Sequence, residues 1–349
     1  MNKKILRLND GKAGHMFAID GVIAALKHEF DLDVISLDVK IRVKFLLQIM
    51  KLLVHYRWFD NCLKKHPNLL KLFYKNFVLP KEHIDLILST GGDTSYLNVW
   101  LSRILNTNNI YCSGLRGLKT DYFTLLISSI KLDCKNYIIF KEAFPNKNIL
   151  QDMTKPTSEF CETQNLDKDD KYFVLLLGGD TGGKYEYSTK DWKEIIDGFM
   201  YHVKNENAKA LISTSRRTGL KNEGLIKELL EPYQDDIAYT IYFNQKPEKL
   251  LGIFLPLSSK IFITEESGSM IGESLYYGKP VFTISPRKIR TDKTYEKYLK
   301  SLRELKRIKS IKVNELEDID LTNIEFEFME NNPMDDLAKQ LKTHLKGIL

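Results

Sequence analysis

Asp10 and His15 lie in the turn DGKAGH (10–15), directly after the apolar run KILRL (4–8). A side chain that titrates near neutrality is the best general base, so either His15 or Asp10 could take a proton from a hydroxyl. The competing reading is a solvated loop histidine and an N-capping aspartate. Gly11 and Gly14 admit backbone conformations closed to other residues. A second group lies in IFITEESGSMIGESLYYGKPVF (261–282), which reads as strand, turn, helix, turn, strand. Ser267, Gly268 and Ser269 are small residues at that helix start, where free backbone N–H groups attract an anion. Glu273 is placed one turn further in, where a carboxylate can accept from ribose hydroxyls.

Three more strand-to-helix turns carry similar chemistry. GGDTGGK (178–184) contains Gly179, Asp180, Thr181 and Lys184 and reads as a phosphate- or sugar-facing loop. It lacks the Walker spacing, so it is not a P-loop. TSRRTG (214–219) offers Ser215, Arg216 and Arg217, and paired arginines suit a diphosphate. STGGDT (89–94) holds Gly92 and Asp93 and reads as an acceptor-side turn, with Asp93 or Thr94 as its cap. Each of these is also readable as an ordinary capped or flexible loop. The basic run Arg287, Lys288 and Arg290 either closes on phosphate or faces solvent.

The elements that must position these turns alternate strand and helix in both halves. Short apolar runs at 4–8, 34–37, 84–88, 109–113 and 136–140 are read as strands of a first half. Runs at 172–177, 210–213, 240–243, 261–263 and 281–285 give a second. This is the pattern of doubly wound α/β domains, in which ligands bind at the carboxyl ends of the strands. Residues 153–170 are polar without strong periodicity and are read as the interdomain linker. The expected division is an acceptor-side domain at 1–155, a nucleotide-sugar donor domain at 170–325, and a terminal helix at 326–349 that crosses back onto the first.

Length and composition narrow the class. The chain has 349 residues, with 43% hydrophobic, 28% charged and a net charge of +6. That suits two globular domains and anionic small-molecule or lipid partners without demanding nucleic acid. Four cysteines without a CxxC pair support neither a disulfide framework nor a zinc site. The Asp-x-Asp tripeptides of the chain, at 31–33, 167–169 and 318–320, lie in none of these glycine- or hydroxyl-rich turns, which makes metal-dependent phosphate binding less expected. The N-terminal apolar run is too short for a signal peptide, and no stretch approaches a membrane span, so a cytoplasmic protein is expected. The block at 41–59 interleaves cations with Phe, Leu and Trp. It reads as one or two basic amphipathic helices, either core-facing or lying on an anionic membrane, such as the inner face of the cytoplasmic membrane.

The motifs DGKAGH (10–15), GGDTGGKYEYS (178–188), TSRRTG (214–219), TEESGSMIGES (264–274), GKPVF (278–282) and NPMDD (332–336) together resemble the mitochondrial-fission (elongated-mitochondria) family of predicted glycosyltransferases. The resemblance spans nearly the full length. It implies a GT-B architecture: two Rossmann-like domains facing a cleft, with a nucleotide-sugar donor and a glycan or glycolipid acceptor. More distantly the chain is similar to the lipid-linked N-acetylglucosaminyl transferase of peptidoglycan synthesis. That likeness implies Gly14 and His15 near the acceptor, and Ser267, Gly268, Ser269, Met270 and Glu273 around the donor, where Glu265 of the same turn is also assigned. The turn at Gly91-Gly92-Asp93 departs from it, because basic residues are expected there. The implied activity is sugar transfer to a cell-surface glycan or lipid-linked precursor, with a sugar-nucleotide epimerase or hydrolase, or a non-catalytic membrane adaptor, as the alternatives.

Overall fold

The computed structural model describes residues 2–140, 152–290 and 293–349. The chain divides into two compact units, Met1–Leu150 with Asn331–Leu349, and Gln151–Glu330.

The first unit is built on six parallel strands: β1 (Lys3–Asn9), β2 (Leu32–Asp38), β3 (Leu86–Thr90), β4 (Asn108–Cys112), β5 (Leu125–Ser128) and β6 (Tyr137–Ile139), in spatial order β2-β1-β3-β4-β5-β6. β3 reads LILST and is buried throughout, as expected for a strand covered on both faces. Helices α1 (Ala13–Glu29) and α4 (Gly92–Leu105) follow β1 and β3. α2 (Leu46–Leu53) and α3 (Arg57–Lys65) come from the basic block. Met50, Val54, Phe59 and Leu63 bury into the core beside Trp100 of α4. The block is therefore a helix pair, with one face in the core and the other in solvent.

The second unit repeats the plan with β7 (Tyr172–Leu177), β8 (Lys209–Thr214), β9 (Ile237–Ile241), β10 (Ser258–Thr264), β11 (Val281–Ser285) and β12 (Lys309–Lys312), in order β9-β8-β7-β10-β11-β12. β7 shows why the sheet is a central layer. Phe173, Leu175 and Leu177 enter one hydrophobic cluster, whereas Tyr172, Val174 and Leu176 enter the other. Period-2 alternation thus feeds two cores from one strand. The first core is closed by α6 (Thr189–Asn205), with Trp192 and Phe199 fully buried. Ser188 caps α6 by accepting from the Asp191 N–H, and Asp191 answers at the Ser188 N–H, 2.8 Å away. Helices α7 (Gly219–Leu230), α8 (Leu251–Leu257), α9 (Gly268–Leu275) and α10 (Lys293–Glu304) complete the unit.

α11 (Pro333–Leu345) returns to the first unit and packs against α1. Asn332 caps it through the Met334 N–H at 3.0 Å. Lys342 reaches Glu29 of α1 at 2.6 Å, while Leu337, Leu341 and Leu345 are buried beneath it.

Three expectations change. Residues 153–170, read as the interdomain linker, belong to the second unit: α5 (Thr154–Gln164) forms there, and its Phe160 packs edge-on against Tyr239. Buried Thr157 and Cys161 supply the apolar side that the polar composition conceals. Part of the first unit's boundary, 141–151, lies outside the described residues. β5 and β12 are strands that the sequence reading omits. The LLIS run is only four residues long, and KSIK is too polar for a buried strand but suits a sheet edge. Neither Asp93 nor Thr94 caps α4: the N-cap position is Gly91, with φ +81°, and no side chain caps the helix.

Candidate functional site

In the first unit the turn after β1 brings Asp10 and His15 together. Their side chains meet at 2.7 Å between Oδ2 and Nδ1, and Asp10 is almost fully buried. Asn9 accepts the Gly11 N–H at 2.9 Å and Asp10 accepts the Lys12 N–H at 3.1 Å. Gly11, at φ +76°, gives the turn its left-handed step. Lys12 then bridges Asp10 at 3.3 Å and Asp93 at 2.5 Å. Burial raises the Asp10 carboxyl, but the His15 hydrogen bond and the Lys12 contacts outweigh it and leave Asp10 below the ordinary aspartate value. An ionised Asp10 fixes Nδ1–H as the donor and leaves Nε2 as the basic nitrogen. His15 is about one-third exposed, and its Nε2 has no hydrogen-bond partner among the described residues. Asp10 is thus enclosed, and its hydrogen bond orients the His15 ring.

The turn after β3 supports this ring. A Cβ on Gly91 would overlap His15 Cε1 and Nδ1, so the imidazole lies directly on the glycine backbone. A Cβ on Gly92 would meet Arg116 Cδ at 2.7 Å. The cation absent from the Gly91-Gly92-Asp93 turn therefore arrives from the loop after β4. Gly14 lies open: a Cβ there would meet nothing within 4 Å.

In the second unit three turns are locked side by side. The Gly178 N–H donates to Thr264 Oγ1 at 2.7 Å, and the Gly179 N–H donates to Glu266 Oε1 at 2.8 Å. Thr218 Oγ1 donates to the Leu177 carbonyl at 3.0 Å and accepts the Ser215 N–H at 2.9 Å. Arg217 stands 3.7 Å from Glu266 Oε1, and its carbonyl oxygen occupies the space that a Gly179 Cβ would need. Tyr187 closes the far side with a 2.6 Å bond to Glu266 Oε2. Burial raises the Glu266 carboxyl above the ordinary glutamate value, against the opposing pull of Tyr187, Arg217 and the Gly179 N–H.

The sequence reading omits Glu266 and assigns Glu265 to the ligand in its place. Both glutamates are buried, but Glu265 faces away: it accepts from Tyr185 at 3.3 Å and from Thr283 at 3.1 Å. The adjacent pair carries no sign of which member faces the glycine loop. Glu223, also unassigned, is fully buried in α7 and accepts from Thr214 and from the Asn244 N–H at 2.9 Å. It joins the ends of β8 and β9.

The other assigned residues fall around this joint. Ser267 is the N-cap residue of α9, and its carbonyl accepts the Ile271 N–H at 3.0 Å. Gly268 starts the helix against Tyr295, whose hydroxyl donates to the Glu265 carbonyl at 2.6 Å. Ser269 is exposed, and Glu273 is half-buried further along the helix. Met270 packs into the core instead of standing clear. Asp180 accepts the Tyr187 N–H at 2.8 Å, and Thr181 accepts the Tyr185 N–H at 3.1 Å, which folds the 178–188 loop back on itself. The Lys184 carbonyl accepts the Arg290 N–H at 2.6 Å. Ser215 and Arg216 lie at the surface edge of their turn. The basic run beyond β11 is otherwise engaged: Arg287 pairs with Asp191 at 2.7 Å and with Glu194, and Lys288 pairs with Glu186.

A family model described as Mitochondrial fission ELM1 matches residues 141–345. The chain belongs to that family. The match covers the whole of the second unit's joint, whereas the Asp10–His15 turn lies before it. No curated protein matches the chain in sequence. Solved structures share the fold along almost the whole length. The Staphylococcus aureus MnaA–UDP co-structure is 14% identical over 99% of this chain and 96% of its own, at a TM-score of 0.59. The UDP-GlcNAc 2-epimerase of Methanocaldococcus jannaschii is 12% identical over 98% and 100%, at 0.57. CalG4, the calicheamicin glycosyltransferase, is 9% identical over 100% and 95%, at 0.51. The family member's fold is therefore GT-B, as expected, with two parallel six-stranded sheets.

Proposed function

We propose that this protein is a glycosyltransferase, working without a metal ion, that moves a sugar from a nucleotide-activated donor to a cell-surface glycan or its lipid-linked precursor. The observation that carries the reading is the joint at Glu266, which holds three strand-to-helix turns of one sheet edge together. The joint sets the start of α9 and Arg217 at that edge, and helix-start N–H groups with a cation are what a nucleoside diphosphate leaving group needs. In this reading the N–H groups at the start of α9, from Gly268 to Met270, and Arg217 hold the diphosphate. Glu273 takes the ribose hydroxyls. Gly179, Asp180, Thr181, Lys184, Ser215 and Arg216 line the donor side.

The acceptor belongs to the first unit, bordered by Gly11, Gly14, Gly92 and Asp93. Its hydroxyl oxygen forms the new bond to the sugar's anomeric carbon. His15 Nε2 takes the hydroxyl proton, and the bond from that carbon to the diphosphate breaks with its electron pair leaving on phosphate. Residues 41–59 hold the protein, in the same reading, at the inner face of the cytoplasmic membrane.

The test is thermal-shift screening against UDP, GDP, CMP, CDP, dTDP and ADP, with and without EDTA. Stabilisation by one nucleotide is expected to survive EDTA and to be lost in Arg217→Ala or Glu273→Ala. No shift with any nucleotide at saturating concentration would favour a non-catalytic adaptor. A second reading has support in the name of one neighbour, the UDP-GlcNAc 2-epimerase: an epimerase or hydrolase acting on the sugar nucleotide alone. Consumption of a stabilising donor with no acceptor present would select it.

A further inference from the structure

A second site lies in the first unit, well separated in sequence from the Asp10–His15 turn. A cavity of about 620 Å³ opens between α3, the end of α4 and the loop at 119–122. Four cations line it: Arg57, Lys64, Arg103 and Lys119. Two carboxylates face it, Asp60 and Asp121. Arg103 is already engaged, bonded to Asp60 at 2.9 and 3.0 Å, to the Val54 carbonyl at 2.9 Å, and stacked 4.4 Å over the Tyr122 ring. That leaves Arg57, Lys64 and Lys119 with no carboxylate partner among the described residues, against the single free carboxylate of Asp121. Unpaired cations converging on a cavity of small-molecule size fit a phosphate-bearing ligand.

The surface beside the cavity indicates where that phosphate comes from. Residues 41–80 contain eight lysines and arginines and one carboxylate, the Asp60 already paired with Arg103. Among the described residues, seven of the twelve exposed large hydrophobic side chains fall in 43–78, a small fraction of the chain. Phe45 is 69% exposed, Leu52 66% and Trp58 62%. Arg57 lines the cavity between Tyr56 and Trp58, both largely exposed. Exposed aromatic and aliphatic side chains interleaved with cations of one sign are what an anionic bilayer surface binds, and a soluble phosphate would not need the apolar rim.

We propose that the cavity takes the phosphate of an anionic phospholipid headgroup while Leu52, Tyr56 and Trp58 enter the adjacent interface. This deepens the membrane-facing part of the proposed function and is independent of sugar transfer, because its test contains no nucleotide.

The experiment is co-sedimentation of the full chain with phosphatidylcholine vesicles, with and without phosphatidylglycerol. Binding is expected only with phosphatidylglycerol. Lys64→Ala with Lys119→Ala removes two cations from the cavity and is expected to weaken binding about 25-fold, at about fivefold per cation near an anionic surface. Lys44→Ala with Lys75→Ala removes two exposed cations that do not line the cavity, and is expected to cost clearly less. Leu52→Ser with Trp58→Ser is expected to abolish binding to the vesicles. All of these side chains are exposed, and unchanged melting curves will verify folding. Absence of binding to phosphatidylglycerol vesicles overturns the proposal. Equal losses in the two lysine pairs would show diffuse surface charge instead of a headgroup site. Unchanged binding in Leu52→Ser/Trp58→Ser would exclude insertion, and competition by inorganic phosphate at matched ionic strength would then identify a soluble anion as the ligand.

Discussion

The two units place their turns at the same edge of similar sheets but use carboxylates in opposite ways. In the second unit Glu266 is buried, shared between three turns, and held above its ordinary value. In the first, Asp10 is also buried but is held below its ordinary value by His15 and Lys12, and the histidine it orients remains partly exposed. One arrangement fixes three turns around a buried carboxyl. The other holds a partly exposed imidazole against its buried carboxylate partner. The same α/β scaffold thus carries two differently held carboxyls, and the difference lies in what each one touches.

The strongest way to break this comparison is His15→Ala. It should lower the transfer rate by about 10²–10⁴-fold, the usual worth of a general base, while leaving nucleotide-induced stabilisation unchanged. A loss of nucleotide binding instead would mean that the two edges are not functionally distinct.

Next in size are the glycines. A Cβ on Gly178 would overlap Glu266 Oε1, where it has to displace the carboxylate that holds the joint. Gly178→Ala should destabilise the protein by about 1–3 kcal/mol in denaturant titration and abolish nucleotide stabilisation. Gly11→Ala meets nothing within 4 Å, so only its left-handed φ of +76° is penalised. That change should cost about 1 kcal/mol and spare nucleotide binding.

The pH dependences should have opposite signs. A carboxyl raised in the folded state stabilises the fold fully below its unfolded value, and the contribution is lost as pH rises through the raised folded value. Glu266→Gln should therefore flatten the part of the melting-temperature profile that falls with pH above the ordinary glutamate value of 4.5. A depressed carboxyl contributes above its unfolded value and loses that contribution as pH falls through the depressed one. Asp10→Asn should flatten the acid side, below the ordinary aspartate value of 3.8. Profiles of the same sign in both variants would remove the contrast between the units.

The smallest effect concerns the scaffold alone. Ser188→Ala removes one half of the α6 capping box and should cost about 1 kcal/mol in a thermal melt, with no change in nucleotide specificity.

The sequence by itself determined the repeated α/β plan, since short apolar runs such as YFVLLL, bounded by glycine turns, suit strands buried on both faces. It also determined the chemistry of each turn, because the glycines, hydroxyls and cations of DGKAGH, GGDTGGK and TSRRTG lie contiguous in the chain. The terminal helix was legible as a helix, but its packing on α1 is a tertiary contact that its own sequence does not encode. Edge strand β12 and helix α5 were not, because their few buried residues are set by neighbours far along the chain. Only the tertiary structure decided which buried glutamate serves the joint. Glu265 and Glu266 are adjacent and chemically identical, and the turn that leaves β10 sends one toward Thr283 and the other toward Gly179. Likewise, only packing brought Gly91 under His15 and Arg116 over Gly92, contacts between turns on different strands that spacing along one chain does not encode.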